Sequence, residues 1–470
     1  MTELALLSAL EIAQQIRCRH LSPLEVTSYF LERIERYNPL LGSFVHLAAT
    51  TAIADARAKT ELLAQTDDPH SLPPFFGVPT AIKDLNNVAG MPTGYGVAAL
   101  SAQPQAVAYD DGVVTRLKQA GFIILGKTAT SELGSFPYTE TPGLPPARNP
   151  WQQEYTAGGS SGGAAAAVAA GLCPWAQGSD GGGSIRGPAS SCGLVGLKPS
   201  RGRISNAPFG DYQSGIATLG SLSRTVADAA ALLDVMAGYT TGDPYWLPQP
   251  SVSFLESLQL PLPPLRIAFS VQVQPFPPAD AVGQQAVQTA IAHLASLGHD
   301  LTEACFDTSQ LVAPFTKIWQ AGVGAAGIPL EYLSPVNRWL GETSGSAGEY
   351  LQAVQKMQFL AREIVGFFDN FDILVLPVYN HQPPLIGAWQ SLSPSATVAK
   401  ISQWIAPCPA MNASGLPAVA VPLGFDDQGL PYAVQLIAPP AAEARLLNLA
   451  HKLEALVGFP RQFPPHLGAI

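Results

Sequence analysis

Apolar residues return every third or fourth position through the first sixty residues, in ALLSALEIAQQIRCRH and then in LEVTSYFLERIERY, the period of helices with one buried face. Ser8 with Glu11 and Ser22 with Glu25 have the spacing of capping boxes, and Pro23 stands at a first helical position, so two amphipathic helices are predicted to open the chain. From FFGVPTAIKD onward the pattern changes. Short apolar runs, GFIILG, LVGLKP, LRIAFSV, FDILVLPV and PAVAVPLGF, read as buried strands. Between them SELGSF, the alanine run AAAAVAAG, SRTVADAAALLDVMAG, QQAVQTAIAHLASLG and EARLLNLAHKLEALVG read as helical. That alternation argues for an α/β fold of parallel strands and crossover helices. No repeat interrupts it, and LQLPLPPL near residues 259–265, the only linker-like stretch, reads rather as a surface loop between layers.

Composition narrows the class. Charged residues are 13% of the chain, against about 25% in typical soluble domains, which implies a well-buried fold. A net charge of −10 argues against nucleic acid or an anionic membrane as the main partner, because both require a basic surface, and leaves small neutral substrates open. The five cysteines form no CxxC pair and the eight histidines no HExxH, so neither a disulfide framework nor a metal is indicated, and no cofactor is called for. No signal-peptide pattern opens the chain and no apolar run approaches a membrane span, which points to the cytoplasm. Nothing sets the oligomeric state, and a homodimer is compatible with the chain.

Two short motifs mislead. GFIILGKT, Gly121 to Thr128, satisfies the phosphate-loop pattern, yet Phe122 to Leu125 read as a buried strand rather than a cradle of converging N–H groups. The plain reading is a strand ending in a helix-starting Lys127–Thr128. GGSSG, Gly158 to Gly162, satisfies the nucleophile-elbow pattern but follows NPWQQEYTA instead of the required strand. Its partner would have to be His293, His299, His381, His451 or His466, none of which carries a local cue.

The long motif is different. GGSSGGAAAAVAAGLCPWAQGSDGGGSIRGPASSCGLVGLKPSRGRIS, Gly158 to Ser205, resembles the amidase signature along its whole length. The resemblance continues in FFGVPTAIKDLNNVAGMPTGYG around Lys83, in GKTATSELGSF, in ETPGLPPARNPW, in MNASGLPAVAVPLGF and in YAVQLIAPP. It implies one α/β domain, a mixed, mostly parallel sheet surrounded by helices. Residues 1–60 would form N-terminal helices, 70–240 the signature core, 245–365 a divergent substrate-shaping segment and 366–470 the rest of the core.

The same resemblance maps a Ser-cisSer-Lys triad onto Ser184 as nucleophile, Ser160 as the serine with a cis peptide bond, and Lys83 as base. Its chemistry would be cofactor-free hydrolysis of a carboxylic amide. An oxyanion needs convergent backbone N–H groups and no side chains in the way, which suits Gly181, Gly182 and Gly183. Lysine serves as a base only when neutral, and the apolar run before Lys83 would lower its pKa, with Asp84 opposing this if it faced the same side. Ser161 and Ser179 would support the reacting groups, and Asp180 with Arg186 would form a structural ion pair. Where the family often has Thr-Asp-Thr or Thr-Asp-Ile, this chain has Ser179, Asp180 and Gly181, so a looser oxyanion loop is expected. After FDILVLP come Val378, Tyr379, Asn380 and His381 in place of the usual Thr and Pro. The last three are either substrate-pocket residues or an ordinary surface loop. Two other functions stay open: the amidase subunit of a glutamine-dependent transfer-RNA amidotransferase, which the segment after GRIS weighs against, and an inactive binding relative, which should have lost a triad residue.

Overall fold

The computed structural model describes residues 3–211 and 213–468. Both capping boxes form: the Ser8 and Ser22 hydroxyls accept the N–H of Glu11 and Glu25, whose carboxylates return to the serine N–H groups. The first helix, Ala9–Arg17, is also pinned from a distance, since the buried Asp228 carboxylate accepts the N–H groups of Ala9 and Leu10 at 3.0 Å each. The helical pattern of the first sixty residues hides a strand at Phe44–Leu47. Four residues are too few for alternation to show, and only pairing along the chain's later strand makes them extended.

Among the described residues one sheet of eleven strands forms: β1 (Phe44–Leu47), β2 (Pro79–Lys83), β3 (Ile123–Thr128), β4 (Trp175–Asp180), β5 (Val195–Lys198), β6 (Thr218–Ser223), β7 (Arg266–Phe269), β8 (Asp300–Glu303), β9 (Ile373–Pro377), β10 (Ala418–Phe425) and β11 (Pro431–Ile437). Their spatial order is β1-β3-β2-β4-β6-β5-β10-β11-β9-β7-β8. The sheet is mixed and helices pack around it, as expected. Parallel pairing is confined to two blocks, β3-β2-β4 and β8-β7-β9, while the strands between them pair antiparallel. The reason is partly local: β10 and β11 are joined by the tight turn after Phe425, where Asp426 accepts the N–H groups of Gln428 and Leu430, and a short turn can only reverse the chain.

Two readings of the pattern need correction. SELGSF makes only the single 3₁₀ turn Glu132–Gly134, because Leu133 adopts φ 55°. Lys127 and Thr128 belong to β3 and start no helix; the ladder to β2 runs on through Thr128, opposite Lys83. The proline-rich 259–265 stretch is a short connection into β7, tied down where Asn448 Nδ2 donates to the Leu260 carbonyl.

The site follows from this order. β2, β3 and β4 run parallel and adjacent, and end at Lys83, Thr128 and Asp180. Their carboxyl ends present three loops to one place, the usual location of a site in an α/β sheet. The loop 129–135 follows β3, the helix Gly162–Ala169 begins just after the serine–glycine loop, and 181–185 follows β4. The core beneath is dense: Phe75 stacks on Phe122 at 4.6 Å, and Phe122 meets Trp175 at 5.0 Å.

Candidate active site

Lys83, the last residue of β2, is fully buried. Its Nζ lies 2.6 Å from Ser160 Oγ and 3.0 Å from Ser179 Oγ. Burial pushes the lysine down to about 7, although the Asp180 carboxylate favours its charged form. Asp84 has no part in this. Successive residues of an extended chain point to opposite faces, and Asp84 pairs with Lys127, Nζ to Oδ1 at 3.1 Å, and accepts the Gly94 N–H. Lys127, the would-be phosphate ligand, is thus consumed by a buried ion pair.

The peptide bond between Gly159 and Ser160 is cis. Gly159 is there for close approach: a Cβ on it would come 2.5 Å from the Tyr138 backbone nitrogen. The Ser160 carbonyl accepts the Ser131 N–H at 3.2 Å, and the next residue, Ser161, donates its N–H to the Ser184 carbonyl at 3.2 Å. Ser161 Oγ reaches the Ser179 carbonyl at 3.2 Å. Three loops are in this way sewn together around the lysine. Ser184 is half-buried, and its hydroxyl has no protein partner among the described residues.

Asp180 organises the loop beyond β4. Its Oδ1 accepts the Gly183 N–H at 2.7 Å, its Oδ2 the Ile185 N–H at 3.1 Å, and both oxygens bind the Arg186 guanidinium at 3.0 Å. Burial would raise this carboxyl, but the Arg186 charge beside it holds it well below the usual carboxylate range. The predicted ion pair is present and completely buried. The loop is therefore taut where looseness was expected. The assignment of Gly183 to an oxyanion hole is also corrected, since its N–H is already taken and its φ of +119° carries the chain past Cys408. Among the described residues the N–H groups of Gly181, Gly182 and Ser184 have no protein acceptor.

The sequence did not single out the residues that complete this network. Asn412 Nδ2 donates to the Asp180 carbonyl at 2.8 Å and to its Oδ1 at 2.9 Å, while Asn412 and Gln435 carbonyl oxygens accept from Arg186. Both lie in segments that carry the resemblance, MNASGLP and YAVQLI, but nothing in one sequence says that they reach the loop after β4.

Tyr379, Asn380 and His381 do not line the cavity of about 380 Å³ that Ser131 helps to wall. Tyr379 is buried beneath the loops, its hydroxyl 3.4 Å from the Gly183 carbonyl and 3.5 Å from that of Gly159, and a Cβ on Gly187 would overlap its ring. Asn380 Nδ2 donates to the Gln403 carbonyl, and His381 stacks on Trp404. The divergent segment does approach the loop: a Cβ on Gly182 would stand 3.7 Å from Phe315.

The sequence model of the amidase family matches residues 25–447. The chain belongs to the amidase family. An amidase-named protein of Synechocystis sp. is 59% identical over 466 residues, covering 99% of this chain and 92% of that one. Among solved structures, the amidase fold seen here matches a 6-aminohexanoate cyclic dimer hydrolase with its substrate at a TM-score of 0.90 and 28% identity, over 99% of this chain and 100% of the other. It matches one component of the glutamyl-tRNA(Gln) amidotransferase of Thermotoga maritima at 0.80 and 26%, over 100% and 99%. As an amidase the chain is an amide hydrolase. Among the described residues no helix is long and apolar enough to cross a membrane.

Proposed function

We propose that this amidase cleaves a linear carboxylic amide through an acyl-Ser184 intermediate, with Lys83 as a neutral general base and Ser160 relaying the proton. The observation that carries this is the 2.6 Å contact between Lys83 Nζ and Ser160 Oγ inside the protein, at the foot of a loop whose free amides flank Ser184. Ser184 Oγ attacks the amide carbonyl while its proton passes to Ser160 and the Ser160 proton to Lys83. Negative charge on the carbonyl oxygen is received by the N–H groups of Gly181, Gly182 and Ser184. The proton returns by the same route to the departing amine, the C–N bond breaks, and water repeats the sequence on the acyl-serine to release the acid. Ser179 holds the lysine in place through its hydroxyl, and Tyr379 supports the two loops from below. The free-standing hydrolase reading is preferred to that of an amidotransferase component because the match to the cyclic dimer hydrolase is closer, 0.90 against 0.80.

The test is covalent labelling of the chain purified alone. A fluorophosphonate should stop amide hydrolysis with one adduct, located at Ser184 by mass spectrometry. An adduct at Ser160, or active protein that takes no label, would count against the assignment. Hydrolysis of glutamine only when partner proteins are added would favour the amidotransferase.

A further inference from the structure

A cavity of about 380 Å³ adjoins this cluster: Ser131, whose N–H holds the Ser160 carbonyl, is part of its wall. Its lining is chemically one-sided. Glu132 and Glu140 line it with Phe136, Tyr138 and Trp389, and among the described residues no Lys, Arg or His does. The aromatic wall is continuous: Phe136 stacks on Tyr138 at 5.4 Å, and Trp389 meets Tyr138 edge-on at 5.5 Å. Ring faces and carboxylates attract the same thing, a cation.

The two carboxylates differ in what is left of them. Glu132 is buried and spent on structure, accepting the Ser334 N–H at 3.0 Å and Asn337 Nδ2 at 2.8 Å, so it anchors the helix Pro335–Glu342 of the divergent segment to the active-site loop. Glu140 is less enclosed. Its Oε2 accepts the Gly387 N–H at 2.8 Å, and no cation pairs with it directly among the described residues. The nearby Arg148 acts on it only at a distance, its Nη1 being held by the Gln153 carbonyl, and Arg338 is tied to the carbonyls of Leu330, Glu331 and Leu333. Burial keeps the Glu140 carboxyl above its ordinary range, a cost that an entering cation would relieve.

We propose that this cavity selects amides that carry a primary ammonium group, with Glu140 as the ionic partner and the aromatic wall around it. The inference rests on the amidase reading and adds the substrate class. Glu140 is then a specificity residue, distinct from the groups that move protons.

Two substrate series test it with the full chain. One is a set of ω-aminoacyl 4-nitroanilides of increasing length, the other N-(ω-aminoalkyl)acetamides, each compared with its methyl-terminated isostere and its ω-carboxylate analogue. In at least one series kcat/KM should favour the ammonium over the methyl compound by about tenfold or more, the worth of one modest ionic contact, with the carboxylate poorest. Glu140→Gln should reduce that ratio to within about threefold. Ammonium and methyl compounds turned over equally in both series would overturn the proposal, as would a Glu140→Gln enzyme that keeps the full preference. Should the variant not fold, the wild-type ratios still decide. If no compound is hydrolysed, it is the hydrolase reading that fails; the cavity is then judged by calorimetric titration with 5-aminopentanamide and hexanamide, where tighter binding of the amine supports selection and equal or absent binding refutes it.

Discussion

Asp180 Oδ1 accepts the Gly183 N–H at 2.7 Å, so the amide immediately before Ser184 is fastened to a buried carboxylate rather than offered to substrate. The same carboxylate holds Arg186 with both oxygens. Asp180→Asn should leave the guanidinium unpaired in the interior and cost about 3–5 kcal/mol in denaturant unfolding. Arg186→Met should be comparably damaging alone, and the double variant Asp180→Leu/Arg186→Met should lose far less than the sum of its parts. Strict additivity would mean that the pair is not coupled.

Loss of the proposed relay should be non-additive as well. Lys83→Ala is expected to lower kcat on the order of 10²–10⁴-fold, and Lys83→Ala/Ser184→Ala should be little worse than Ser184→Ala. Steady-state rates on one amide are enough. A Lys83→Ala enzyme of near-normal rate would remove the lysine from the mechanism.

Activity should rise with pH through about 7, because burial holds Lys83 there and only the neutral amine accepts a proton. Lys198 is also buried and also pushed down to about 7, by burial and by the neighbouring Arg186 charge, so the limb has to be assigned. In Lys198→Met, if folded, the acid limb of kcat/KM should persist at the same pH. Its disappearance in that variant would assign the limb to Lys198.

A buried neutral lysine is a stability cost. With its folded-state pKa near 7 and an unfolded value near 10.5, the unfolded chain binds the extra proton between those two values, so the penalty is full below pH 7 and fades as pH rises toward 10.5. At about 1.36 kcal/mol per pKa unit, Lys83→Met should gain on the order of 5 kcal/mol below pH 7, less whatever the lost contacts to Ser160 and Ser179 contribute. Thermal unfolding at pH 6 and pH 9.5 should show the variant's advantage shrinking at the higher pH. An advantage that grows with pH would contradict the burial argument.

Much of this was written along the chain. The capping boxes at Ser8 and Ser22 depend on contacts three residues apart, and the glycines from Gly158 to Gly163 announce a place where backbones crowd, as Gly159 against Tyr138 bears out. The long signature motif pointed to the amidase family and to the residues Lys83, Ser160 and Ser184 without any coordinate. What it could not decide is how side chains distant in sequence divide their partners. Asp84 and Asp180 are both acids near the lysine in prospect, yet the pleat of β2 turns Asp84 to Lys127 and leaves only Asp180 to act on Lys83. Gly183 looked as free as its neighbours until the loop folded back on Asp180. Asn412, Gln435 and the wall of Glu132 and Glu140 become visible only when strands and helices from opposite ends of the chain meet. Local pattern sets which elements form because it acts over a few residues; the partners of a buried polar group are set by packing across hundreds, where one sequence carries no register to read.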